Sequence, residues 1–130
     1  MVFGKVKRKI LIVEDDIPLR DMYEERLKME DFDVSVATDG EEGLAKTTEE
    51  KPDLIILDLM MPKISGMDVL DILKSTSKTK DIPVIVLTAL TTSKTKSLVY
   101  GAEDYLVKAE SSLEDIVAKV KEVVAKYYKE

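Results

Sequence analysis

Ile10-Leu11-Ile12-Val13-Glu14-Asp15-Asp16 is an apolar run that stops on three acids, and Leu54-Ile55-Ile56-Leu57-Asp58 repeats the pattern with one. Each run is short and rich in Ile, Leu or Val, as a strand buried on both faces must be. Two such strands in a parallel sheet bring their C-terminal ends to one edge, where ligands bind. Packing alone does not ask for carboxylates there. At about 4 Å and an effective dielectric of about 20, a carboxylate pair repels by roughly 4 kcal/mol. A fold that gathers three of them points to a metal ion.

On either side of these runs, strand-like and helix-like segments alternate five times. Strands are predicted at Lys9–Val13, Asp33–Ala37, Leu54–Leu57, Pro83–Leu87 and Asp104–Val107. The first helix has Pro18 near its start and Leu19, Met22, Tyr23 and Leu27 at helical spacing. The second opens on an Asp39 cap with Glu42 three residues later and stops before Pro52. The third begins near Ser65-Gly66, and the fourth, around Thr92–Tyr100, is rich in Thr and Ser and is a poor helix former. The last starts on a Ser111-Ser112-Leu113-Glu114 capping box and carries an apolar stripe of Leu113, Ile116, Val117, Val120, Val124 and Tyr127. Five strand–helix units predict an α/β fold: a flavodoxin-like, doubly wound, five-stranded parallel sheet of order 2-1-3-4-5, with five helices on two faces. In that order strands one and three are neighbours, so Glu14, Asp15 and Asp58 converge.

At 130 residues the chain suits one domain, and its 45% hydrophobic content supplies a core. A net charge of -6 argues against direct binding to nucleic acid or an anionic membrane. No apolar stretch is long enough for a membrane span or a secretion signal, so a cytoplasmic protein is expected. Cysteine and histidine are both absent. Disulfides, thiol nucleophiles, imidazole bases and zinc sites are thereby excluded, and chemistry falls to carboxylates, hydroxyls, lysines and backbone. The basic start, Lys5 to Lys9, is too short and too poor in aromatics for a nucleic-acid patch and reads as a solvated lead-in. The expected organisation is a lead-in over 1–8 and a single domain over 9–130, with no effector domain.

Two further strand ends complete the site. Strand four ends in Thr88-Ala89, and Asp104-Tyr105-Leu106-Val107 runs into Lys108. In the ordered set of Ile10–Asp16, Asp53–Pro62, Gly66, Pro83–Ala89 and Gly101–Lys108, the chain resembles the receiver domain of two-component response regulators. The resemblance implies that Asp58 accepts a phosphoryl group from a sensor histidine kinase or a phosphotransfer protein. It implies Mg²⁺ held by Asp15, Asp58 and the backbone carbonyl of Met60, with Glu14 acting mostly through water. An all-oxygen ligand set suits that ion. Lys108 and Thr88 would contact the phosphoryl oxygens, Ala89 would leave room for the group, and Tyr105 would be the switch aromatic. Asp16, just before Ile17-Pro18, fits a helix cap better than a ligand.

The resemblance further implies a signalling switch rather than an enzyme. Phosphorylation would change the surface made by the fourth helix, fifth strand and last helix, and so control a downstream protein, as a monomer or a phosphorylation-dependent homodimer. Met60 and Leu90 cannot activate a hydrolytic water, so slow self-dephosphorylation is expected. Ala109 stands where the family commonly has proline, leaving the Lys108–Ala109 bond trans or a strained cis. The twenty steps from Thr88 to Lys108 are slightly short for the family, so a short fourth helix is expected. Three other functions fit less well. A Mg²⁺-dependent aspartyl phosphatase of the haloacid-dehalogenase kind needs Asp-x-Asp, whereas Asp58 is followed by Leu59-Met60. A flavodoxin-type electron carrier needs a phosphate-cradling loop where Glu14-Asp15-Asp16 stands. A receiver-like module that binds without phosphorylation would not need all five site residues.

Overall fold

The computed structural model describes residues 6–89 and 101–128. In chain order these form β1 (Lys9–Val13), α1 (Ile17–Met29), β2 (Asp33–Ala37), α2 (Gly40–Glu50), β3 (Leu54–Asp58), α3 (Gly66–Ser75), β4 (Val84–Thr88), β5 (Asp104–Val107), a 3-10 turn (Lys108–Glu110) and α4 (Leu113–Tyr127). All strand pairs are parallel, in the order β2-β1-β3-β4-β5. The predicted topology is thus the observed one. The helix expected around Thr92–Tyr100 lies outside the described residues, as does Leu90. The last predicted helix is α4.

Alternation along the strands divides the core into two layers. Ile10, Ile12, Leu54, Ile56, Ile85 and Leu87 face α1 and α4 with Tyr23, Leu27, Ile116, Val117, Val120 and Val123. Leu11, Val13, Ile55, Leu57, Val84 and Val86 face the other way, against Val69, Leu70 and Leu73 of α3. On that side α2 lies close to β1, because a Cβ on Gly43 would come within 3.0 Å of both Val13 methyls. Every residue of β3 and β4 is buried, as expected for strands covered on both faces.

Several local expectations shift. Strand β3 extends one residue to include Asp58, and β4 starts at Val84 and ends on Thr88. Met22 is exposed rather than part of the α1 core stripe. The last capping box pairs Ser112 with Asp115, one residue later than predicted, because the Ser111 N–H closes the 3-10 turn onto the Lys108 carbonyl. On α4, Val123 is buried and Tyr127 is exposed, which rotates the stripe. Arg8 of the basic start is not simply solvated. It lies 4.6 Å from the Tyr128 ring and 3.9 Å from the Asp53 carboxylate, while the Tyr128 hydroxyl donates to the Asp53 carbonyl at 2.7 Å. No helix of the described residues is long and apolar enough to cross a membrane.

Candidate functional site

The sheet order carries the C-terminal ends of β1 and β3 to adjacent positions, Val13 opposite Leu57. Glu14, Asp15 and Asp58 therefore meet, each offering a carboxylate oxygen within 4.8 Å of the others. Their surroundings differ sharply. Glu14 is 1% exposed and Asp58 4%, while Asp15 stands in solvent. Asp16 belongs to α1: its Oδ1 accepts from the Leu19 N–H at 3.1 Å, so it is the helix cap the sequence suggested. The Asp16 N–H in turn donates to Glu14 Oε2 at 3.2 Å.

Lys108 reaches the acids from the turn after β5, across two strands. Its Nζ stands 2.8 Å from Glu14 Oε1 and 3.4 Å from Asp58 Oδ1. Burial pushes the Asp58 carboxyl up, the neighbouring Glu14 adds to the rise, and Lys108 opposes it; the result is about 7. Burial would depress the Lys108 ammonium, but its pairing with Glu14 and Asp58 outweighs this and raises it. The acid cluster is thus only partly neutralised by one lysine, which leaves it electrostatically suited to a divalent cation. The donor set fits Mg²⁺: it is all oxygen, with one open face at the exposed Asp15. Glu14, already engaged by Lys108 and the Asp16 N–H, suits a ligand acting through water.

The remaining predicted residues take distinct places. Thr88 ends β4 with 0% exposure, and Ala89 beyond it is exposed at the rim. Tyr105 is half-buried against the α3-side core. It pairs with Val86, and Thr88 pairs with Val107, so alternation puts Thr88 and Tyr105 on the same face of the sheet. Met60 is exposed, and its N–H donates to Asp58 Oδ1 at 3.2 Å. The Lys108–Ala109 peptide is trans, since the described residues hold no cis bond.

Two supports were not assigned from sequence. A Cβ at Gly66 would fall 2.2 Å from the Asp58 carbonyl oxygen, so only glycine lets α3 begin this close to Asp58. Lys63 ties the same loop to α2, its Nζ 3.2 Å from the Asp39 carboxylate. The glycine itself was visible in the sequence; its contact, eight residues from Asp58, was not.

The chain matches the family model for the response regulator receiver domain over residues 10–121. It is 41% identical over 120 residues to the probable transcriptional regulator ycf27 of Porphyridium aerugineum, covering 91% of this chain and 48% of that protein. It is 41% identical over 115 residues to the DNA-binding dual master transcriptional regulator RpaA of Synechocystis, covering 87% and 47%. The chain thus spans about half the length of the curated relatives it matches. Among solved structures, the chemotaxis response regulator CheY4 of Vibrio cholerae superposes with a TM-score of 0.84 at 31% identity, covering 91% of this chain and 99% of that one. The response regulator TrrA of Thermotoga maritima, solved in complex with Mg²⁺ and BeF, gives 0.80 at 34% identity, with 89% and 98% covered. With the sheet order, the clustered acids and these matches in agreement, the chain belongs to the response regulator receiver domain family.

Proposed function

We propose that this chain is a phospho-accepting signalling switch with Asp58 as the acceptor. The observation that carries the reading is the convergence of Glu14, Asp15 and Asp58 within 4.8 Å, with Lys108 bridging two of them. The donor is a phosphohistidine on a sensor kinase or phosphotransfer protein, because this chain contains no histidine. An Asp58 oxygen attacks phosphorus, a P–O bond forms, the N–P bond breaks, and the imidazole leaves with the electron pair and takes up a proton. Asp15, Asp58 and the Met60 carbonyl would hold Mg²⁺, with Glu14 acting through water. When bound, the ion neutralises charge on the phosphoryl oxygens.

Lys108 and the Thr88 hydroxyl contact the added oxygens, and Ala89 leaves the rim open for the group. A phosphoryl group that draws Thr88 toward it changes packing on the face that Tyr105 shares. Phosphorylation thereby shifts a two-state equilibrium, with strength set by its differential contacts in the two states. The family organisation supports a single receiver domain over 9–130, and the relatives' names as transcriptional regulators favour gene control as the output class. With its net charge of -6 this domain acts on nucleic acid through a partner or an attached part, not directly. Incubation with Mg²⁺ and acetyl phosphate is expected to add one phosphoryl group by intact mass, and Asp58→Asn to abolish the addition. Unchanged mass in the wild type, under conditions that saturate other receivers, would overturn the assignment.

A further inference from the structure

Met60 follows Asp58 by two residues and is 60% exposed, so packing gives no reason for an apolar side chain there. Its backbone N–H is tied to Asp58 Oδ1 at 3.2 Å. A methionine sulfur lies within roughly 5 Å of its own nitrogen, so the thioether is kept within about 8 Å of that carboxylate oxygen. With Leu59, Met61, Ser65 and Met67 it lines a cleft of about 310 Å³. Apart from Ser65, every side chain of this lining is apolar, and a water needs polar partners to stay in such a place. The cleft as it stands therefore gives a hydrolytic water little hold.

The composition gives this thioether a second significance. The chain has no cysteine, tryptophan or histidine, so methionine is its most readily oxidised side chain. Met61 and Met67 are partly buried against the α3-side core, while Met22 and Met29 are exposed on α1. Among the exposed methionines of the described residues, Met60 is the one beside Asp58.

We propose that Met60 is a modification site for hydrogen peroxide, and that its oxidation shortens the life of a phosphoryl group on Asp58. The sulfur attacks one peroxide oxygen, an S–O bond forms and the O–O bond breaks. Sulfur loses two electrons to the peroxide, and the departing hydroxide takes the proton of the new S–OH and leaves as water. The sulfoxide is polar, and its oxygen accepts hydrogen bonds where the thioether is only a weak acceptor. A P–O bond on Asp58 and an S–O bond on Met60, directed at each other, each close the gap by roughly 1.5 Å. About 5 Å remains, the span of one water making two hydrogen bonds of about 2.7 Å. The sulfoxide oxygen, the phosphoryl oxygens and the Ser65 hydroxyl supply that water's partners. Ser65 Oγ accepts from the Asp68 N–H at 3.2 Å, which leaves its own proton to donate. The water attacks phosphorus, the bond from phosphorus to the Asp58 oxygen breaks with its electron pair on the carboxylate, and inorganic phosphate and a proton leave. The effect on lifetime rests on the Asp58 acceptor reading; the oxidation of Met60 does not.

The test compares wild type, Met60→Leu and a variant carrying both Met22→Leu and Met29→Leu, each against its own untreated sample. Protein is exposed to hydrogen peroxide, freed of it, phosphorylated with acetyl phosphate and Mg²⁺, then separated from the donor and followed by intact mass. Peptide mass is expected to find one added oxygen on Met60. Loss of the phosphoryl group is expected to run about two- to tenfold faster after treatment in the wild type and in the Met22/Met29 variant, the factor one hydrogen bond of ordinary net strength supplies. Treated and untreated Met60→Leu are expected to decay alike, and methionine sulfoxide reductase to restore the wild-type lifetime. Met60 left unoxidised while Met22 and Met29 are oxidised overturns the proposal. So does an unchanged or longer lifetime in protein oxidised at Met60, or equal acceleration in Met60→Leu. Failure of the untreated wild type to take up phosphate counts against Asp58 as acceptor; peptide mass, which needs neither metal nor donor, then decides Met60 as the oxidised residue.

Discussion

Replacing Asp58 with asparagine is expected to stabilise the metal-free protein while removing its proposed chemistry. Burial and Glu14 raise the Asp58 carboxyl from 3.8 to about 7. A carboxylate raised on folding holds its proton more tightly in the folded state. Its unfavourable contribution is therefore absent below the unfolded value and grows as pH rises, becoming complete above about 7. Roughly three pH units at about 1.4 kcal/mol each give about 4 kcal/mol as the full penalty of ionisation. Asparagine keeps the shape and the acceptor for the Met60 N–H without the charge. Allowing for relaxation of the exposed loop around the ionised group, the gain is about 2–4 kcal/mol at pH 8, or roughly 6–15 °C in melting temperature for a chain of this size. The assay is thermal unfolding followed by circular dichroism in chelator, at pH 8 and pH 5. At pH 5 the native carboxyl keeps its proton, and the difference between variant and wild type is expected to fall below half. A lower melting temperature for Asp58→Asn, or the same difference at both pH values, would refute the crowded-carboxylate argument.

The same geometry sets three other outcomes. Lys108→Met leaves Glu14 buried without its cation and is expected to destabilise the metal-free protein by about 3 kcal/mol in urea titration, with Mg²⁺ restoring part of the loss. Gly66→Ala forces a methyl into the Asp58 carbonyl and is expected to lose about 3 kcal/mol or more, with slower phosphate uptake, since the acceptor must move. Lys51, which ends α2 in the left-handed region at φ 50, offers the opposite sign: Lys51→Gly is expected to gain about 0.5–1 kcal/mol by thermal melt with uptake unchanged.

The strands were legible because nothing but burial on two faces explains runs such as Leu54 to Leu57, and the alternation of units left few topologies. Sequence placed Glu14, Asp15, Asp58, Thr88 and Lys108 at one sheet edge, and the structure gathers them there. What it did not carry was partnership. Lys108 and Glu14 are 94 residues apart, and no local pattern says which acid the lysine meets first. Helix faces were harder than helix existence. Met22 and Tyr127 have the spacing of core residues, yet Tyr127 turns outward to give its hydroxyl to Glu103 at 2.9 Å. The shifted capping box shows the same limit: Ser111 and Ser112 are both good caps, and the 3-10 turn before them decides which is used.

The stacking of Arg8 and Tyr128 on Asp53 acquires meaning from where Asp53 stands. It precedes the strand that Asp58 ends, so a single five-residue rod carries Asp58 at one tip and the anchor of the last helix at the other, roughly 17 Å away. That rod is enclosed on every side and cannot slide without breaking two ladders. On the proposed reading, a change set off at Asp58 would have to pass around it, over the outer face of the sheet, with the Asp53 pole as the fixed end.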